Sequence, residues 1–152
     1  RTLRLDPANP RWPGRDKFLL GKGHIGVGLW PILADLGYFP AAWLDDFGKM
    51  DAPLTDHPSM REVPGVDFSS GALGHNLSVG VGMCLASRFR GGDDRTFVLL
   101  GDGELHEGQV WEAAMSAAGF KLDNRIAITG SATWWRLSMR TAPRRMVRPP
   151  TS

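Results

Sequence analysis

Short solid apolar runs alternate along the chain with apolar residues at helical spacing. Phe97-Val-Leu-Leu100 is too short for a helix and lacks polar alternation, so it predicts a strand buried on both faces of a parallel sheet. Gly101-Asp-Gly103 turns the chain, after which Val110, Ala113, Ala114, Ala117 and Ala118 fall on one helical face. Strand, acidic loop and helix together begin a βαβ unit. Phe18-Leu-Leu20 predicts a second short strand, preceded by an extended loop in which Pro7, Pro10 and Pro13 exclude a helix. A glycine-rich stretch from Gly21 then passes into a helix with Leu29, Ile32, Leu33 and Leu36 on one face and Gly37 as its stop. Pro31 lies inside that helix and removes one backbone donor. Pro40 to Phe47 predicts a short helix with Trp43, Leu44 and Phe47 inward, and the Gly71-Ala-Leu-Gly74 turn opens a further helix of small residues. A last strand is read in Arg125 to Ile128. No internal repeat interrupts this order, which predicts an α/β, doubly wound, mainly parallel sheet.

Composition changes little: 152 residues with 42% hydrophobic and 22% charged content suit one ordinary domain. No apolar stretch reaches the length of a membrane span, no charged-then-apolar leader is present, and the expected setting is the cytoplasm. Cys84, the single cysteine, lies in an apolar helical run and reads as a buried structural thiol. Charge is informative once divided. Residues 125 to 152 hold six arginines and no acid, whereas residues 1 to 124 hold twelve basic and sixteen acidic groups. The basicity therefore belongs to the tail, and the body has no basic stripe of the kind that binds nucleic acid.

The candidate chemistry lies around Asp102. Taken alone, Gly-Asp-Gly fits a plain turn as well as a carboxylate held for a ligand. In an open α/β sheet, ligands bind beyond the carboxyl ends of the strands, which is where Asp102 falls. His24, where loop becomes helix, reads by itself as a cap or space-filling residue rather than a ligand contact. The Gly71 turn places backbone N–H groups at a helix amino end, a common way to hold phosphate.

The longer string Gly101-Asp-Gly-Glu, followed by Glu107-Gly-Gln-Val-Trp-Glu-Ala, closely resembles the thiamine-diphosphate motif of transketolases, in particular the amino-terminal half of the split bacterial type. Lys22-Gly-His24, Asp56-His57-Pro58 and Pro64-Gly-Val-Asp-Phe-Ser-Ser-Gly-Ala-Leu-Gly74 resemble further elements of that family, and the likeness runs over roughly residues 3 to 128. The resemblance implies an incomplete thiamine-diphosphate-binding fold over residues 1 to 128, transferring a two-carbon ketol unit between sugar phosphates. Asp102 would bind Mg²⁺, a hard ion that accepts carboxylate and phosphate oxygens. Gly71, Leu73, Gly101, Gly103 and Glu104 would line the cofactor. His24 and His57 would contact substrate oxygens or the diphosphate, and Glu107 would join a carboxylate network at a subunit interface; without the resemblance, Glu107 reads as an acid favoured by the helix dipole. A carboxyl-terminal transketolase subunit or domain would supply the acid–base glutamate, with a homodimer or heterotetramer for the intact enzyme and no nucleic acid or membrane partner.

Departures from the family pattern are specific. Gly21 stands where Ser is usual, and Asn76 stands where the family has Gly, with a side chain expected to crowd a close diphosphate contact. The family's second metal ligand, an Asn about thirty residues after the Asp, falls on Ala132, and Asn124 lies at the wrong end of the strand to replace it. An amino-terminal segment with a Gly-His-Pro-Gly motif is also expected and missing. Isolated, such a fragment is expected to be inactive. The alternative is a non-catalytic binding module whose basic tail, residues 129 to 152, contacts an acidic partner. That tail is expected to be disordered. Its Trp134-Trp-Arg-Leu-Ser-Met-Arg stretch also permits a shifted reading frame encoding Val-Ala-Ile-Val-Asp-Ala-Asn, although residues 121 to 128 already carry that strand once.

Overall fold

A computed structural model describes residues 3–130 and 135–138 of the chain. Its elements are β1 (Lys17–Leu20), α1 (Gly26–Asp35), α2 (His75–Phe89), β2 (Thr96–Gly101), α3 (Gly108–Gly119), β3 (Arg125–Gly130) and β4 (Trp135–Ser138), with single 3₁₀ turns at Gly23–Ile25, Ala41–Asp46 and Gly103–His106. The four strands form one sheet in the order β1-β2-β3-β4. The first three are parallel, with Leu20 opposite Leu99 and Gly101 opposite Gly130, and β4 runs antiparallel to β3. The tail expected to be disordered lies, apart from these strand residues, outside the described residues, as does Ala132.

Helices cover both faces of the sheet, as the doubly wound reading requires. Leu19, Val98 and Leu100 meet Leu77, Val81 and Cys84 of α2 and Val110, Ala113 and Ala117 of α3. The alternate positions Leu20, Phe18 and Leu99 face the other way, onto Leu29, Trp30 and Leu33 of α1 with Tyr38, Phe39, Leu54 and Val63. Period-two alternation in short strands thus feeds two separate cores. The α2 helix comes close to the sheet at Gly80, where a Cβ would stand 2.9 Å from Val98 Cγ2.

Details differ from the sequence reading in two helices. On α1 the buried face is Gly26, Leu29, Trp30 and Leu33, whereas Ile32 is exposed. Burial of the indole turns the helix, because Trp30 removes more apolar surface than Ile32 and its Nε1 donates to the Thr55 carbonyl at 3.1 Å. Pro31 sits on the exposed side, and the helix continues through it. The Pro40–Phe47 segment forms a 3₁₀ turn over Ala41–Asp46, with the Trp43 ring stacked on Phe39 at 5.2 Å.

The outer edge of β1 is closed by side chains. Lys17 and Gly21 donate backbone N–H groups to Arg95 and Leu99 across the ladder, so Phe18 and Leu20 present their backbone groups away from β2. Asp67 Oδ2 accepts the Phe18 N–H at 2.8 Å, and Asn76 Nδ2 donates to the Leu20 carbonyl at 2.6 Å. Asp67 is itself held by a buried pair with Arg15. These contacts satisfy strand-edge groups that would otherwise be left unpaired.

Candidate functional site

Parallel β1 and β2 end on the same edge of the sheet, and α2 begins there. Five segments distant in sequence meet at this edge. A Cβ at Gly101 would stand 2.5 Å from Lys22 Cδ, and one at Gly23 would stand 2.8 Å from the Gly71 nitrogen. A Cβ at Gly71 would be 3.7 Å from His57 Cδ2, and one at Gly74 would be 2.9 Å from Glu107 Cβ. Gly26 N–H donates to the Asp56 carbonyl at 3.0 Å, tying the loop that carries His57 to the start of α1. Lys22, His57, Gly71, Gly101 and Glu107 are therefore neighbours in space, while residues between them in sequence are spent on the cores.

The expected site residues divide into an outer set and an inner set. His24, His57, Gly71, Leu73, Asp102, Gly103 and Glu107 are exposed. Gly101 and Glu104 are buried, Glu104 to 1% exposure. The Glu104 carboxylate is fully engaged: Oε1 accepts the Gly74 N–H at 2.8 Å and Oε2 accepts the Gly101 N–H at 3.0 Å. It joins the end of β2 to the amino end of α2 from behind. A Cβ at Gly21 would collide with Glu104 Oε2, so glycine at this position leaves room for the carboxylate.

Gly74 caps α2 in the left-handed conformation at φ +84°, where a side chain would be strained and would also meet Glu107. From there the helix runs 15 residues, so the positive end of its dipole lies at the sheet edge, while the His75 N–H donates to the Ala72 carbonyl at 3.4 Å. The exposed Gly71-Ala-Leu73 turn leads into it, and no described atom lies within 4 Å of where a Cβ at Gly103 would stand. Open backbone beside a helix amino end fits a diphosphate.

Magnesium fits only as an ion shared with that diphosphate. Among the described residues no group of three His, Cys, Asp or Glu side chains could hold a metal. Asp102 offers a single exposed carboxylate. Mg²⁺ is commonly bound by one or two carboxylates with phosphate oxygens and water, so one protein ligand suits an ion that arrives with phosphate. Asn124 is confirmed as unsuitable: its Nδ2 donates to the carbonyls of Cys84 and Asp94 before the start of β2, at the opposite end from Asp102.

Asn76 corrects the sequence reading. Its side chain does not crowd the open face, because it is 1% exposed and turned inward. Nδ2 donates both to the Leu20 carbonyl at 2.6 Å and to Ser70 Oγ at 2.8 Å. The only signal in the sequence was an amide where the family has glycine, and it did not tell direction. Lys22, packed along Gly101, likewise stood out in the sequence only as part of a motif. A cleft of about 590 Å³ at the other edge of the sheet, among Arg11, Arg15, Lys17, Arg61, Arg90 and Asp94, is lined by none of these residues.

Comparison with known proteins finds relatives over most of the chain. Residues 1–133 match the family described as transketolase, thiamine diphosphate binding domain. The chain is 44% identical over 129 residues to the 6-deoxy-6-sulfo-D-fructose transketolase subunit SqwG of Clostridium sp. (strain MSTE9), covering 85% of this chain and 47% of that protein. It is 44% identical over 128 residues to an apulose-4-phosphate transketolase subunit of Actinobacillus succinogenes, covering 84% of this chain and 46% of the relative. A crystal structure of a Pichia stipitis transketolase superposes with a TM-score of 0.81 at 32% identity, over 86% of this chain and 21% of that one. The chain thus spans about half the length of the curated relatives it matches.

Proposed function

The chain belongs to the transketolase family, matching its thiamine-diphosphate-binding domain, and from that premise we propose that it holds the diphosphate end of the cofactor at the carboxyl edge of β1 and β2. One observation carries this reading: Lys22, His57, Gly71, Gly101 and Glu107, which belong to five separate segments, are brought together beside Asp102 and the amino end of α2. Gly71 and Leu73 touch the cofactor, and the first turn of α2 directs its N–H groups at phosphate oxygens. Asp102 gives one carboxylate to a magnesium ion that the diphosphate shares. Gly101 and Gly103 let the backbone approach, and Glu104 acts from behind by fixing the two turns.

Thiamine diphosphate supplies the carbanion and the electron sink when bound. The residues of this chain bind and orient. His24 and His57, exposed on the same edge, contact oxygens of a sugar phosphate or of the diphosphate. Glu107 stands beside the α2 cap at the surface, where carboxylates of a partner chain can reach it. Two relatives are named as transketolase subunits, which supports a carboxyl-terminal partner chain or domain for this one. The intact enzyme then moves a two-carbon ketol unit between sugar phosphates, and the isolated chain is one part of it.

Calorimetric titration of the chain and of Asp102→Ala with thiamine diphosphate, with and without Mg²⁺, tests the reading. Binding should require Mg²⁺ and weaken at least about tenfold in Asp102→Ala, the scale of losing one charge-assisted contact. Equal affinity with and without the metal, or in both proteins, would remove the assignment of Asp102.

A further inference from the structure

We propose that Asn76 is a positioning residue for the cofactor edge: its amide fastens the end of β1 and the Ser70–Gly71 turn to the first turn of α2. This rests on the reading above, because it concerns the elements that would hold the diphosphate. Three observations carry it. Asn76 is 1% exposed and lies one residue inside α2, immediately after His75. Its Nδ2 spends both hydrogens on different elements, the Leu20 carbonyl at 2.6 Å and Ser70 Oγ at 2.8 Å. Those two partners are the last residue of β1 and the residue before Gly71, and Gly23 packs directly against the same Ser70–Gly71 backbone.

The contact is geometrically demanding. Leu20 turns its carbonyl away from β2, so no described strand takes it, and here a planar amide with two diverging donors bridges it to Ser70, whose own hydroxyl donates to the Phe68 carbonyl at 3.4 Å. A hydroxyl has one donor, a carboxylate has none, and glycine offers no side chain. The bridge fixes the distance between the Lys22–His24 segment and the α2 amino end, because Leu20 is two residues from Lys22 and Asn76 belongs to the helix itself. Glu104 performs the equivalent service toward β2 through Gly74 and Gly101. Between them, the helix start is pinned to the ends of β1 and β2. The benefit is preorganisation: turns already held in place lose less freedom when a ligand binds.

Asn76→Ala removes the amide while keeping a good helix former. Ser70→Ala removes one of the two bonds and preserves the packing. Leu122→Val, in the core at the opposite end of the sheet, serves as a control for general loss of stability. Thiamine diphosphate with Mg²⁺ is the probe. Asn76→Ala should weaken binding about tenfold and Ser70→Ala about threefold, the range expected for lost hydrogen bonds. Leu122→Val should bind like the parent even where its melting temperature falls as far. Hydrogen exchange gives a readout independent of the cofactor: amides of residues 21–25 and 71–75 should exchange faster in Asn76→Ala and not in Leu122→Val. If the parent binds no cofactor, the proposed function fails, and the exchange pattern alone decides the role of Asn76. Parent-like exchange in both segments of Asn76→Ala overturns the proposal. Should Asn76→Ala not fold, the same comparison with Ser70→Ala decides it, parent-like exchange at residues 71–75 counting against the bridge.

Discussion

Glu104 shows how one buried side chain can tie two turns together from behind. A buried carboxylate is costly unless its oxygens are satisfied, and here two backbone N–H groups from different elements do so. Glu104→Gln keeps the shape and turns one oxygen into an NH₂ group that must face an N–H donor. We expect a loss of stability of about 1–3 kcal/mol, as for a buried donor left unsatisfied, read as a lowered midpoint in denaturant. An unchanged midpoint would mean that the carboxylate does not brace the two turns. At this scale the sequence was readable where a residue's chemistry and its place in a motif coincide. Asp102, Gly71 and His57 lie exposed near one edge of the sheet. The directions of Glu104 and Asn76 were not readable, because spacing in a loop does not say whether a side chain turns outward or inward. Both directions depend on neighbours from remote segments: Gly21 makes space for Glu104, and Ser70 with Leu20 attracts Asn76.

At the level of elements, the apolar runs sufficed for β1, β2, α2 and α3, because each is short, bounded by glycine or proline, and buried on a face that its period specifies. The rotation of α1 was not readable. Leu29, Trp30, Ile32 and Leu33 could each have turned inward, among other apolar residues of the helix, and the choice of Trp30 over Ile32 goes with the Thr55 carbonyl, which lies beyond the helix. The loop before β1 is held by charge in a way that periodicity cannot show. Asp16 is fully buried and accepts the Arg4 N–H at 2.9 Å, the Arg95 N–H at 2.8 Å and the Arg95 guanidinium at 2.7 Å. It thereby joins the amino-terminal loop to the lead-in of β2. Burial alone pushes the Asp16 carboxyl up, but the hydrogen bonds from Arg95 and Arg4, with the Arg95 charge, outweigh it and hold the group below its ordinary range. A carboxyl whose folded value is lowered contributes stability that is fully present above its unfolded value, near ~3.9, and that is lost as pH falls through the lowered folded value. Asp16→Asn should therefore be less stable than the parent at neutral pH, with the gap closing below about pH 4. Denaturant midpoints measured at neutral and acidic pH check this, and a gap independent of pH would show that the charge of Asp16 does not matter.

For the whole molecule, the decisive fact is extent: the chain covers 47% and 46% of two curated relatives and 21% of a solved transketolase. On the function proposed above, the sheet edge would bind and orient, and Asp102 would be the carboxylate it offers to a metal. Catalysis by positioning is steep in geometry, and a missing positioning element can cost orders of magnitude in rate. The purified chain, given Mg²⁺, thiamine diphosphate and sugar phosphates, should therefore show no measurable ketol transfer, although it binds cofactor. Binding without turnover separates an incomplete catalyst from a chain that has lost the site altogether. The exposed side of α3 suggests where the complement sits. Trp111 and Met115 are 55% and 67% exposed one turn apart, on the helix that begins beside Glu107. If a carboxyl-terminal transketolase subunit completes the enzyme there, adding it should restore turnover, and Trp111→Ala should weaken that restoration. Coupled assays of sugar-phosphate conversion across a titration of the partner measure both. Turnover by the chain alone would refute the division of labour, and restoration insensitive to Trp111 would place the partner on another face.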